Sequence, residues 1–224
     1  MKEISFAERV KETAIREAVN YKNTYVDYEY LVLFEDSIQE YYIISGTEKN
    51  YLHLLGVSTL LKPGEFYLKC LNGELSETDF DFVDSKGNDI RGTVRRKIKV
   101  LGNMNRLFQQ EVLYVQESFV KNRVVCTLGT SDNECTVGFI KSSSRKNAKA
   151  FPKTLMKGNE LGNAKSVKLL LRRKRGKEKF DEIVIGSRDI IKQYYNDVRE
   201  MISDELFGKK LYNNRKVCCK KIGV

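Results

Sequence analysis

The stretch from residue 111 to residue 142 limits the possible folds more than any other. It holds three β-rich runs in succession: EVLYVQESFV (111–120), NRVVCTLGT (122–130) and ECTVGFIKS (134–142). Val, Thr, Phe and Tyr favour the pleated, half-buried surface of a sheet. The link SDNE supplies Asp and Asn, which tolerate the backbone angles of a tight turn, so the last two runs read as a hairpin. A meander of this kind demands an antiparallel sheet. Two further strand candidates, SVKLLLRRK (166–174) and FDEIVIGS (180–187), flank the turn RGKE. An earlier pair, YVDYEYLVLFE (25–35) and YYIISG (41–46), is joined by DSIQE.

Helical periodicity frames these strands. Phe6, Val10, Ala14 and Ala18 recur at helical spacing over residues 3–20, with Asn20 and Asn23 marking an end. GEFYLKCLNGEL reads as a short helix from Glu65 that stops near Gly73. DIRGTVRRKIKVLGNMNRLF reads as another, with Val94, Ile98, Leu101 and Leu107 on one side and Arg95, Arg96 and Lys97 exposed. DIIKQYYNDVREMISDELF predicts a C-terminal helix over 188–206, with Ile190, Ile191, Tyr194, Val198, Met201, Ile202 and Leu206 as its apolar stripe. The order predicts an α+β fold: an N-terminal helix, a mainly antiparallel β-sheet with inserted helices, and a C-terminal helix. One domain over 1–207 accommodates all of this, and 208–224 is expected to be a basic, mobile tail.

The charge pattern points to an anionic partner. The chain has a formal net charge of +10 and a pI of about 9.3. Residues 141–180 hold fourteen Lys or Arg against Glu160 and Glu178, a local +12, and residues 208–224 add six more with no acid. These segments together carry +18, which leaves −8 for the rest. Such polarity suits nucleic acid or phosphate. No apolar run approaches the ~20 residues of a membrane helix, and MKEISFAERV lacks the apolar core of a signal peptide, so a cytoplasmic protein without membrane contact is expected. Five cysteines without C-x-x-C spacing (Cys70, Cys126, Cys135, Cys218, Cys219) read as reduced thiols, and a single histidine argues against a structural zinc site.

The motif search excludes several chemistries. There is no G-x-x-x-x-G-K-[ST] loop, no G-x-G-x-x-G after a strand, no H-E-x-x-H and no zinc-deaminase signature. In TDFDFVDSKGND, alternation puts Asp79 and Asp81 on one face opposite Phe80 and Phe82, where they either share a Mg²⁺ or form a solvated strand edge; the second reading is preferred. What remains is metal-free phosphodiester chemistry on RNA, with no cofactor. It needs a base for the 2′-hydroxyl proton, an acid for the leaving 5′-oxygen and cations for the phosphorane charge. Only one imidazole is present, His53 in YLHLLGV. It is either a packed half-polar residue or a proton carrier paired with a lysine, arginine or tyrosine.

Seven stretches taken in order, YYIIS, HLLGV, FYLKCLNGEL, VRRKI, RVVCTLGTSDNECTVGFI, FPKTLMKGNEL and LLLRRKRGKEKF, extend over about residues 25–185. Together they resemble the phage-encoded branch of the barnase–EndoU–colicin–RelE-like nuclease superfamily. The resemblance implies N-terminal helices followed by an antiparallel sheet, and a small, toxin-like ribonuclease domain of phages and mobile elements. It makes His53 the general base or acid and Arg95 and Arg96 the family's basic pair at the scissile phosphate. Leu55 departs from the small residue common in the family after H-L.

Other basic residues join this expectation. Arg172 and Lys174 alternate along one strand and share a face, which suits a phosphate track extended by Arg173 and Arg175. Lys174 is grouped with the catalytic set. Lys157, Asn159 and Glu160 lie beside a glycine that lets backbone N–H groups approach an anion. The expected activity is a metal-independent endoribonuclease, a hydrolase that binds RNA through a basic face. The alternative is a non-catalytic phage protein that occupies RNA, DNA or a nucleoprotein complex and inhibits host machinery.

Overall fold

The computed structural model describes residues 4–121 and 123–206. The expected basic tail, with Cys218 and Cys219, lies outside the described residues. Helix α1 (Phe6–Tyr21) starts where the Ser5 hydroxyl accepts the Glu8 N–H at 2.9 Å, and it buries Val10, Ala14, Ala18 and Tyr21 at helical spacing. It does not stop at Asn20. A π-helical turn, Lys22–Val26, follows and places Tyr25 in the core, where sequence reading had begun a strand. That turn is pinned by the Tyr25 hydroxyl donating to the Met104 carbonyl at 2.9 Å.

Strands β1 (Tyr28–Phe34) and β2 (Tyr42–Ser45) pair antiparallel. Helices α2 (Tyr51–Leu55), α3 (Pro63–Asn72) and α4 (Arg91–Arg106) come next. The strand series is β3 (Tyr114–Glu117), β4 (Val120–Lys121), β5 (Val124–Val125), β6 (Leu128–Ser131), β7 (Cys135–Lys141), β8 (Lys149–Lys157), β9 (Lys165–Lys174) and β10 (Glu182–Ile185). Helices α5 (Arg188–Gln193) and α6 (Tyr195–Val198) end it. The main sheet runs β1-β2-β8-β7-β6-β3-β9-β10, and β9 also pairs with β1, so seven strands close into a barrel-like ring with β10 attached to β9. Within the sheet β2–β8 is the parallel pairing; the rest are antiparallel, as the sequence predicts.

The core has two faces, and β1 serves both. Tyr30, Val32 and Phe34 point into the cluster shared with α1, α3 and α4, while Leu31 and Leu33 point into a second cluster with Leu169, Leu171 and Phe180. Burial on both sides explains why YLVLF has no polar alternation. The second cluster is covered by Ile191, Val198, Ile202 and Leu206, the apolar stripe read from the sequence.

Two expectations about elements are corrected, and one strand is added. The C-terminal helix is not continuous: α5 and α6 break at Tyr194, and beyond Val198 the backbone turns to bond Phe180, whose N–H donates to the Met201 carbonyl at 2.8 Å while Ser203 N–H donates back at 2.8 Å. The run 111–120 is split at Ser118, which has φ +51°, so that β4 and β5 form a separate two-stranded ribbon. Residues 149–157 form β8, a strand that the sequence reading did not assign, and it carries Pro152. The missing N–H is tolerated because the β7–β8 register shifts between Gly138 and Phe139, where Pro152 stands opposite Phe139. The SDNE turn forms as predicted: Asn133 has φ +75° and the Asp132 carboxylate accepts the Glu134 and Cys135 N–H groups at 3.0 Å.

Candidate active site

Helix α2 sets the orientation of His53. A 3₁₀ turn, Glu48–Asn50, leads into it, and there Asn50, through its side-chain oxygen, accepts the Thr47 N–H at 2.8 Å and closes a capping box on that turn. Tyr51, Leu54 and Leu55 are fully buried, at spacings of three and four residues, and the Tyr51 hydroxyl donates to the Ala14 carbonyl at 2.7 Å. With that side committed to the core, His53 faces out and is exposed. Leu55, the departure from the family pattern, is a core residue. The helix ends at Gly56 in the left-handed region, φ +77°.

His53 lines a cleft of roughly 1160 Å³. One wall is α2 and the loop through Leu61; another is the segment 78–85, with Asp79, Asp81 and Asp84; Lys97 of α4 and Lys153 and Thr154 of β8 complete it. Lys97 and Lys153 are cleft residues that sequence reasoning missed, and Lys97 is the more deeply placed. Its Nζ donates to the His53 carbonyl at 2.6 Å, and burial lowers its pKa from the usual lysine value to about 8. The signal was present in the sequence: Lys97 lies three residues after Val94 and four before Leu101, inside the apolar stripe of α4, not on its outer face.

Arg95 and Arg96 stand elsewhere on α4. Both are exposed; the Arg95 guanidinium lies 5.2 Å from the Phe6 ring centroid, in a smaller groove with Arg9, Arg16 and Lys99, and Arg96 donates to Thr93 Oγ1 at 3.2 Å. Neither lines the His53 cleft. The basic run of β9 is largely engaged within the fold. Arg172 makes a two-point contact with Glu182, at 2.9 and 2.5 Å, over the Tyr28 ring. Arg173 Nε and Nη2 donate to the buried Glu29 at 2.9 and 2.7 Å, and Lys149 joins the same carboxylate. Arg175 donates to Ser45 Oγ at 2.8 Å and to the Gly46 carbonyl at 2.5 Å. Lys174 is exposed at the end of β9, opposite Tyr28.

Lys157, Asn159 and Glu160 gather at the β6–β7 turn, away from the cleft lining. Gly158 has φ +76°, Asn159 Nδ2 donates to Asn133 Oδ1 at 2.9 Å, and Glu160 pairs with Lys121 at 2.6 Å. The two aspartates weighed as metal ligands have other partners. Asp79 pairs with Lys69 at 2.7 Å and accepts the Ser76 N–H, contacts that lower its pKa, while Asp81 accepts the Phe82 N–H. Among the described residues, no group of three or more His, Cys, Asp or Glu side chains is placed to hold a metal ion. None of the described helices is long and apolar enough to cross a membrane.

A closed, mostly antiparallel sheet backed by helices thus presents a histidine and two lysines to one cleft. The family model described as phage-Barnase-EndoU-ColicinE5/D-RelE like nuclease4 matches residues 15–198, from the second half of α1 to the end of α6, and the chain belongs to that family. The match reaches beyond the 25–185 span of the sequence resemblance at both ends. Membership implies a nucleic-acid substrate. Searches of the curated proteins and of the solved structures find no match.

Proposed function

We propose that the chain is a metal-independent endoribonuclease whose active site is the His53 cleft. The observation that carries this reading is the outward placement of the chain's one imidazole in a concave site that also holds lysines. Imidazole exchanges protons near neutrality, which fits it to accept the 2′-hydroxyl proton. The 2′-oxygen then bonds to phosphorus, the bond to the 5′-oxygen breaks, and that oxygen takes a proton from water or an ammonium group in the cleft. The product is a 2′,3′-cyclic phosphate. Arg95, Arg96, Lys157 and Lys174, all exposed, would hold flanking phosphates of the strand, not the scissile one. The buried free thiols of Cys70, Cys126 and Cys135 support a reducing compartment such as the cytoplasm.

The test is RNA cleavage by purified protein with EDTA present. His53→Ala is expected to lower the rate by about 10²-fold or more. Cleavage that continues unchanged in this variant removes the histidine from the mechanism. One observation favours a second reading: among the described residues no side chain or backbone group hydrogen-bonds the His53 ring to orient it. On that reading the protein binds RNA or a nucleoprotein complex without cutting, and the same assay separates the two, since binding would be retained with no cyclic-phosphate product.

A further inference from the structure

We infer that the Lys97 amine is the phosphate-holding group of the cleft, a catalytic residue that contacts the scissile phosphate while the peptide carbonyl of His53 fixes its position. This rests on the strand occupying the His53 cleft, the reading proposed above. The argument begins with donors. An ammonium group has three N–H donors, and Lys97 directs one to the His53 carbonyl. Among the described residues no carboxylate lies within 4 Å of its nitrogen, whereas Lys69, Lys149, Arg172 and Arg173 each meet an acid. Lys97 is therefore a half-buried cation that lines a cleft without a counter-charge. A buried charge in that condition is costly, and an anion arriving in the cleft supplies what the fold leaves out.

The surroundings make the position specific. A side chain at Gly56 would put its Cβ 3.0 Å from both the Cδ and the Nζ of Lys97, so the glycine that ends α2 also makes room for the amine. The amine and the imidazole thus hang on one residue of one short helix, and moving α2 moves both. The charged groups that share the cleft are His53, Lys153, Asp79, Asp81 and Asp84. Asp79 is taken by Lys69, and Asp84 by Asn88 and the Lys86 N–H. Two of the three wall carboxylates are thus held by residues outside the cleft lining, whereas Lys97 meets no carboxylate among the described residues.

The experiment uses sulfate, which does not titrate between pH 6 and 10, with chloride at matched ionic strength as the control. The Lys97 side-chain carbon next to the amine is followed by NMR through that range, in the full-length protein. Sulfate is expected to raise the Lys97 titration midpoint by about one unit, equivalent to about tenfold tighter sulfate binding to the charged amine. Lys97→Met should weaken sulfate binding at least tenfold, and Lys97→Arg should retain it. A midpoint that is the same in sulfate and chloride overturns the inference, as does unchanged sulfate affinity in a folded Lys97→Met. Should the methionine variant fail to fold, the wild-type titration alone decides. No RNA is cut in this measurement, so an inert protein that still binds sulfate at Lys97 defeats the ribonuclease reading and leaves the anion site standing.

Discussion

Glu29 and Lys97 show how one residue's surroundings decide whether a charge supports the fold or waits for a partner. Burial pushes the Glu29 carboxyl up, but hydrogen bonds from Lys149 and Arg173 outweigh it and hold the pKa below the usual carboxylate value. A depressed carboxyl adds stability above its unfolded pKa, and that stability is lost as pH falls through the folded one. Glu29→Gln is therefore expected to cost about 3 kcal/mol at pH 7, because it leaves Arg173 and Lys149 unmatched, and to cost much less at pH 3. Urea unfolding at the two pH values checks this. Lys97 has the opposite sign. Its folded pKa of about 8 lies under the ordinary 10.5, so between those values the unfolded chain keeps a proton that the folded chain has shed, and stability rises with pH. Burial raises Cys70 and Tyr30 to about 12 and works the other way over the alkaline range. The difference between wild type and Lys97→Met isolates the lysine: wild type should gain relative to the variant from pH 8 to about 10.5.

At the scale of elements, what the sequence could reveal depended on whether the deciding contacts were local. The SDNE hairpin, the Gly73 stop of α3 and the stripe of α4 are encoded within a few residues, and each formed where periodicity and turn chemistry put it. The C-terminal helix was read too long because the bonds that end it reach back to Phe180, some twenty residues away along the chain. Strand β8 was not assigned from the sequence at all; it carries Pro152, whose missing N–H is accommodated where the register against β7 shifts. The outward turn of His53 was legible in Tyr51, Leu54 and Leu55. Lys97 hid in a run of three basic residues that only the helix phase separates. The β7–β8 pairing also yields a prediction. A Cβ at Gly138 would stand 2.6 Å from Cys126 Sγ and 2.8 Å from Thr154 Cγ2, and Thr154 lines the cleft. Gly138→Ala is expected to destabilise by about 1–3 kcal/mol, read from the shift in the urea midpoint.

For the whole molecule, a net charge of +10 overstates the cations open to a polyanion. Arg172 and Arg173, which looked from the sequence like part of a basic track, are drawn together with Lys149 into ion pairs that join strands. Lys153, exposed in the cleft wall, makes no ion pair among the described residues. The salt dependence of RNA binding should report this distinction. Lys153→Gln is expected to reduce the slope of log affinity against log salt by about 1, and Arg172→Gln to leave it nearly unchanged. The pairing of β1 with β9 has a consequence in time. Glu29 and Arg173 are 144 positions apart, so the first strand leaving the ribosome waits for the ninth before one of its edges is satisfied. Contacts so distant in sequence favour slow maturation, and a nascent chain would carry every cleft-lining residue for some time before the scaffold beneath them locks.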